Sequence, residues 1–267
     1  MPTNEQRRKA AKRKLERQIE RRAERSRRRR QRLTIGAVVA VVVVVVAAVG
    51  IYLYTRPSSS EAAPAAPATA AGACQYTPDG QASRPVQAPD ANPARTGTVG
   101  LTLQTSQGAI PMTLNRAEAP CAVNAVTSLA QQGFYDNTPC PRLVTGQGLQ
   151  VLQCGDPTGS GSGGPGYRYA EEPPTNLAPS PLGQGASNYT RGLVAMAKSS
   201  DPDTTGSQFF LVYGDSALPP QYTVVGQIAP AGLAVLDRIA AGGDDNSNQA
   251  GGGKPNIPVQ ITKAQLQ

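Results

Sequence analysis

Two short segments hold the side chains best suited to grip a ligand: Gln153–Tyr167, QCGDPTGSGSGGPGY, and Gly206–Phe210, GSQFF. The amides of Gln153 and Gln208 both donate and accept hydrogen bonds. Phe209 and Phe210 are two of the 3 Phe in the chain. Neighbours on a strand face opposite sides, so one ring belongs to a core and the other to a pocket. Arg142 adds a guanidinium that is always charged and presents its donors in a fixed fork. The chain has no His, which excludes His-dependent triads and argues against ordinary zinc catalysis. Its 4 Cys show no CxxC spacing, and an even count suits disulfides in an oxidising compartment.

The elements that must position these groups are mostly strands. Thr98–Thr105, TVGLTLQT, and Ala109–Leu114 flank Gln107-Gly108 and read as a hairpin. Ala119–Gln132 carries Pro120 near its start and is followed by Gly133, the signals of a helix. Short strands between Gly/Pro-rich turns run on to about residue 228. Leu233–Ala240 reads as a second helix and Ile257–Leu266 as a last strand. Many short strands with few helices predict a mainly β closed barrel or sandwich.

Residues 1–96 have another character. Residues 1–32 hold 15 Lys/Arg against 4 Asp/Glu, so the net charge of +8 belongs to a basic tail while the remainder is mildly acidic. Leu33–Tyr54 is 22 residues without a charge, rich in Val and Ala, and long enough as a helix to cross a hydrocarbon core. The basic flank predicts a single-pass anchor in the cytoplasmic membrane, N-terminus inside and C-terminal domain outside. A cleaved signal peptide is the rival, with a long n-region and a long apolar run against it. A nucleic-acid role for the tail ranks last, because topology already explains it; no nucleic acid is expected as a partner. Residues 55–96, rich in Pro, Ala and Ser, read as an extended tether. Cys74 implies that part of this tether is pinned. The expected domains are therefore 1–32, 33–54, 55–96 and 97–267.

The two ligand-gripping segments, in this order, resemble the bacterial cyclophilins. So do Gly133-Phe134-Tyr135-Asp136, Arg142-Leu143, Arg191–Ala197 (RGLVAMA) and Tyr222–Gly226 (YTVVG). The resemblance covers about 170 residues and implies an eight-stranded antiparallel β-barrel capped by two helices, acting as a peptidyl-prolyl cis-trans isomerase on secreted or cell-envelope proteins. It needs no cofactor and no metal, its partners are proline-containing peptide segments, and the chain is expected to be a monomer. The resemblance assigns catalysis to Arg142 and Gln208. It assigns substrate binding to Val151, Gln153, Ala197, Lys198, Phe210, Leu218 and Tyr222, with Phe210 as the floor of the proline pocket.

Several positions depart from the family pattern. Gln150 stands where a pocket aromatic is usual, with Leu149 beside it as a substitute. Pro141 and Lys198 replace a His and an Asn, and the Arg142–Gln153 stretch is about three residues long beyond the common form. Leu218 lies nearest the place of an absent Trp, which predicts weak cyclosporin affinity. These departures motivate an alternative: a catalytically weak module that binds proline-containing segments. Cys140 and Cys154 flank one hairpin and suit a bridge, which would leave Cys74 with Cys121; the sequence leaves all three pairings open.

Overall fold

The computed structural model describes residues 72–249 and 251–267. The basic tail, the apolar stretch and most of the Pro/Ala-rich segment lie outside the described residues. Among the described residues, no helix is long and apolar enough to cross a membrane.

In chain order the elements are β1 (Thr77–Pro78), β2 (Thr98–Thr105), β3 (Gly108–Asn115), α1 (Pro120–Gln131), β4 (Thr138–Pro139), β5 (Arg142–Val144) and β6 (Gln150–Cys154). They continue with β7 (Tyr167–Arg168), β8 (Ser187–Tyr189), β9 (Leu193–Met196), β10 (Phe209–Gly214), β11 (Ser216–Leu218), β12 (Val224–Ile228), α2 (Pro230–Ala241) and β13 (Gln260–Leu266). Nine strands form one antiparallel sheet in the order β4-β13-β2-β3-β12-β9-β10-β6-β5. Two small ladders, β1-β7 and β11-β8, lie beside it.

The fold is thus a curled antiparallel sheet with two helices. The strand count differs from the eight expected because β4 and β5 are separated only by Cys140 and Pro141. Pro141 has no N–H to donate to a ladder, so the segment pairs with β13 before the break and with β6 after it.

Period-two burial drives the curl. In β3 the side chains of Ile110, Met112 and Leu114 are buried, and they join Leu101 and Leu103 of β2, Leu143, Leu152 and Leu211 in one core. α1 adds Val123, Val126 and Leu129 to that core, and α2 adds Val235, Leu236 and Ile239. Pro120 opens α1 without a side-chain cap of its own. Its free N–H groups at Cys121 and Ala122 instead donate to the Glu172 carboxylate, at 3.0 and 2.9 Å. α2 begins at Pro230, three residues before the sequence-based start. Gly232, a poor helix former, obscures that first turn. A Cβ there would stand 2.8 Å from Ile228 and 3.0 Å from Ile110, so the residue is what lets the helix seat closely on the sheet.

Both suited bridges form, Cys74–Cys121 and Cys140–Cys154. The first pins part of the tether, as Cys74 implied. From Cys74 onward the chain packs against α1 and neighbouring loops through β1-β7 pairing, through Arg84 donating to the carbonyls of Phe134, Asp136 and Asn137, and through Tyr76 donating to the Cys121 carbonyl. The packed part of the chain therefore reaches back before residue 97 to about Cys74.

Candidate active site

Strand register gathers Arg142, Gln153 and Phe210 into one row. Arg142 pairs with Gln153, Gln153 with Phe210, Phe210 with Ala195, and Ala195 with Val224. The next row, Leu143, Leu152, Leu211 and Val194, points into the core. Side chains alternate, so the Arg142 row points outward.

A second apolar cluster sits on that outer face. It contains Val144, Val151, Phe210, Val212, Tyr189 and Val224, with Leu149, Ala197, Leu218 and Tyr222 packed against it. Phe209 belongs to the inner core, 5.6 Å from the Tyr135 ring, whereas Phe210 faces Tyr222 edge-on at 5.6 Å. The two adjacent rings thus divide between core and outer cluster as strand alternation requires.

A polar chain runs along the edge of this cluster. Arg142 Nη1 donates to Gln153 Oε1 at 3.1 Å, and Arg142 Nε donates to the Gly251 carbonyl at 3.1 Å. Gln153 Nε2 donates to Gln208 Oε1 at 2.9 Å. Gln208 Nε2 in turn donates to the carbonyls of Gly161 and Gly163, at 3.0 and 3.1 Å. Burial pulls the Arg142 guanidinium below its usual value, with Tyr222 opposing, but an arginine at this depth keeps its charge. The half-buried guanidinium is therefore a fixed cationic donor beside the outer apolar cluster.

The Gly-rich loop that receives Gln208 is organised by Asp156, which is fully buried. Its carboxylate accepts from the backbone N–H of Thr158, Gly161 and Gly163, at 2.8, 2.8 and 3.0 Å. Burial alone would raise this carboxyl, but the bonds from Thr158, Gly163 and Gly161 outweigh it and hold the group below the ordinary carboxylate value. Gly155 precedes it at φ +97°, and a Cβ there would lie 2.5 Å from the Ser207 carbonyl oxygen. Only glycine fits this close approach of the two motifs.

Besides Arg142, which reaches Gln153 as described, the sequence-derived site residues fall into two neighbouring groups. Phe210, Val151, Leu218 and Tyr222 belong to the apolar cluster, with Ala197 at its border. Gln153, Gln208, Ala197 and Lys198 line an adjoining groove of about 640 Å³. Lys198 is folded back, its Nζ donating to the carbonyls of Ser199 and Asp201 at 2.9 and 3.0 Å. Leu149, and not Gln150, joins the apolar cluster. Gln150 sits at the β6-β10 irregularity opposite Gly214.

Sequence reasoning missed Asp156, Ala195, Val224 and Tyr189. Tyr189 Oη accepts the Tyr222 N–H at 3.1 Å and donates to the Tyr222 carbonyl at 3.0 Å, so it fixes the rim. The SNY strand and the aspartate two residues after Cys154 were the available signals, but only long-range pairing gives them a role. Among the described residues, no three His, Cys, Asp or Glu side chains gather where they could hold a metal.

The family described as cyclophilin type peptidyl-prolyl cis-trans isomerase/CLD matches residues 100–266. A probable peptidyl-prolyl cis-trans isomerase B of Mycobacterium leprae is 44% identical over 303 aligned residues, covering 100% of both chains. Its Mycobacterium tuberculosis counterpart is 44% identical over 294 residues, covering 100% of this chain and 94% of the relative. Among solved structures, a Cryptosporidium parvum cyclophilin type peptidyl-prolyl cis-trans isomerase superposes with a TM-score of 0.52 at 25% identity, over 64% of this chain and 98% of that one. A second crystal structure of that protein, in the presence of the dipeptide Ala-Pro, gives a TM-score of 0.51 at 26% identity, over 63% and 98%.

Proposed function

The chain belongs to the cyclophilin-type peptidyl-prolyl cis-trans isomerases, and from that premise we propose how the outward row turns over its substrate. The reaction is rotation about an X-Pro amide, whose barrier of about 18–20 kcal/mol comes from its partial double bond. No bond breaks, so the protein need only bind the twisted amide more tightly than either planar form. The proline ring enters the apolar cluster over Phe210 and Val151, with Leu218 and Tyr222 at the rim. Arg142 donates toward the prolyl nitrogen as its lone pair leaves resonance. Gln153 and Gln208 hold the peptide backbone on either side of that donor.

The observation that carries this reading is the single row Arg142–Gln153–Phe210. It sets a fixed cationic donor beside an apolar ring, with one amide between them. Removing a donor aimed at developing charge costs roughly 10²–10³ in rate. The full chain should accelerate isomerisation of X-Pro tetrapeptides, and Arg142→Ala should lose about 10²-fold in kcat/KM. A folded Arg142→Ala protein that keeps most of its activity would overturn the assignment of Arg142.

The same reading extends to the cell. An uncleaved helix over 33–54 would hold the domain outside the cytoplasmic membrane, where proline-containing segments of secreted and envelope proteins fold. The charge-free 22-residue run behind an Arg-rich tail supports this, and so does the bridging of all 4 Cys, which suits an oxidising compartment. Protease added to intact cells should cut the domain while sparing the tail. Protection of the domain would refute the topology.

A further inference from the structure

We propose that the arm Cys74–Arg95, which precedes the residues matched by the family, forms a wall of the substrate groove, and that Asp79 on it biases the groove toward cationic and against anionic residues flanking the proline. This rests on reading the Arg142 row as the isomerisation site. Asp79, Gly80 and Gln81 line the same groove as Gln153, Gln208 and Lys198. They come from the arm, whereas the other three come from the family domain. A peptide whose proline sits over Phe210 and whose backbone follows Gln153 and Gln208 must pass a neighbouring side chain into this space.

The arm is held well enough to act as a wall. The Cys74–Cys121 bridge anchors its start on α1. Thr77 and Pro78 pair with Arg168 and Tyr167, and the Asp79 N–H donates to the Gly166 carbonyl at 2.9 Å. Ser83 and Gly164 exchange two bonds: the Ser83 N–H donates to the Gly164 carbonyl at 2.9 Å, and the Gly164 N–H donates to Ser83 Oγ at 3.0 Å. A Cβ on Gly166 would stand 2.9 Å from the Ala82 nitrogen, so arm and Gly-rich loop are in backbone contact. That loop supplies the carbonyls that receive Gln208. The arm therefore braces the groove and also contributes a carboxylate to it. Asp79 is exposed and is the one carboxylate among the described residues that line the groove, while Arg168 and Lys198 line it as cations, the Lys198 ammonium keeping its charge as it donates to two carbonyls; Asp79 therefore offsets these cations, and its replacement shifts the groove toward anionic residues.

The test is a selectivity ratio on the full-length protein in mild detergent. Proline peptides carry Lys, Glu or Ala, in turn, at each of the two positions before and the two after the proline. Asp79→Lys changes the wall by two charge units. At one of these positions it should shift the ratio of kcat/KM for the Glu peptide over the Lys peptide by about threefold to tenfold, a shift that shrinks in high salt. The Ala peptide should be unaffected. Gln81→Lys, a milder change on the same wall, should shift the ratio in the same direction. Asp90→Lys makes the Asp79→Lys charge change on the arm but away from the groove, and should leave the ratio alone. Equal ratios for wild type, Asp79→Lys and Gln81→Lys, with isomerisation intact, would overturn the arm's role while leaving the site reading standing. Wild-type protein that accelerates none of the peptides would overturn the site reading, and this inference with it.

Discussion

Asp156 touches none of the catalytic candidates, yet its loss should be felt at all of them. The perturbation is Asp156→Ala. Three backbone N–H groups, of Thr158, Gly161 and Gly163, would lose a carboxylate acceptor. A hydrogen bond to a charged group is worth about 1.5–3 kcal/mol net, which would give several kcal/mol if all three donors stayed dry. Thr158 and Gly161 are exposed, so water can replace part of this, and about 2 kcal/mol is a reasonable net cost. For a folded unit of this size, that corresponds to a fall of about 4–8 °C in Tm. Activity should fall as well. The carbonyls of Gly161 and Gly163 receive Gln208, which receives Gln153, which receives Arg142. Releasing the loop unlocks that chain, and a loss of about 1.4 kcal/mol of preorganisation is tenfold in kcat/KM. Asp156→Asn should be milder, because the remaining oxygen can keep Gly161 and Gly163 while Thr158 loses its partner. The pH dependence has a definite sign. The folded carboxyl lies below the ordinary value of 3.8. Its contribution is therefore complete above that value and is lost as pH falls through the lower folded pKa. Wild type and Asp156→Ala should converge in stability at acid pH and separate toward neutral. Thermal melts against pH, paired with peptide isomerisation rates, measure both effects. Unchanged Tm and unchanged kcat/KM for Asp156→Ala would refute the chain of support from the loop to Arg142.

Other outcomes follow from the same geometry. Phe210→Ala should cost about 3 kcal/mol in chemical denaturation, and it should raise KM for proline peptides more than Phe209→Leu, because only Phe210 faces the outer cluster. Replacing Cys140 and Cys154 by Ser opens a bridge spanning 14 residues and should cost about 3 kcal/mol of stability. The same change should lower kcat/KM, since Cys140 lies two residues before Arg142 and Cys154 immediately follows Gln153; melts and kinetics with and without reductant check both.

What the sequence determined by itself was local and patterned. The hairpin of β2 and β3, the start of α1 at Pro120 and its stop just before Gly133 follow from strand alternation and terminal signals that act over a few residues. The division of Phe209 and Phe210 between two faces follows from the period of two. The motifs also put forward Arg142, Gln153, Gln208 and Phe210, which the structure joins through the Arg142–Gln153–Gln208 hydrogen bonds and the pairing of Gln153 with Phe210. What only the tertiary structure decided was everything carried by long-range register and burial. The sequence puts Gln150 at the usual place of the pocket aromatic with Leu149 as its substitute, and it is Leu149 that packs against the apolar cluster, while Gln150 sits at the irregularity opposite Gly214. The three cysteine pairings differ only in which segments lie side by side. Asp156 is one letter of the Gly-rich run until the fold buries it beneath its own loop. Residues 74–96 carry the composition of a tether, and no local propensity marks them as structured. Their order comes from a disulfide, from Arg84 reaching carbonyls some fifty residues away, and from a two-residue ladder with β7. Composition reports what a segment can bury by itself, and this arm is ordered by surface that the rest of the chain provides.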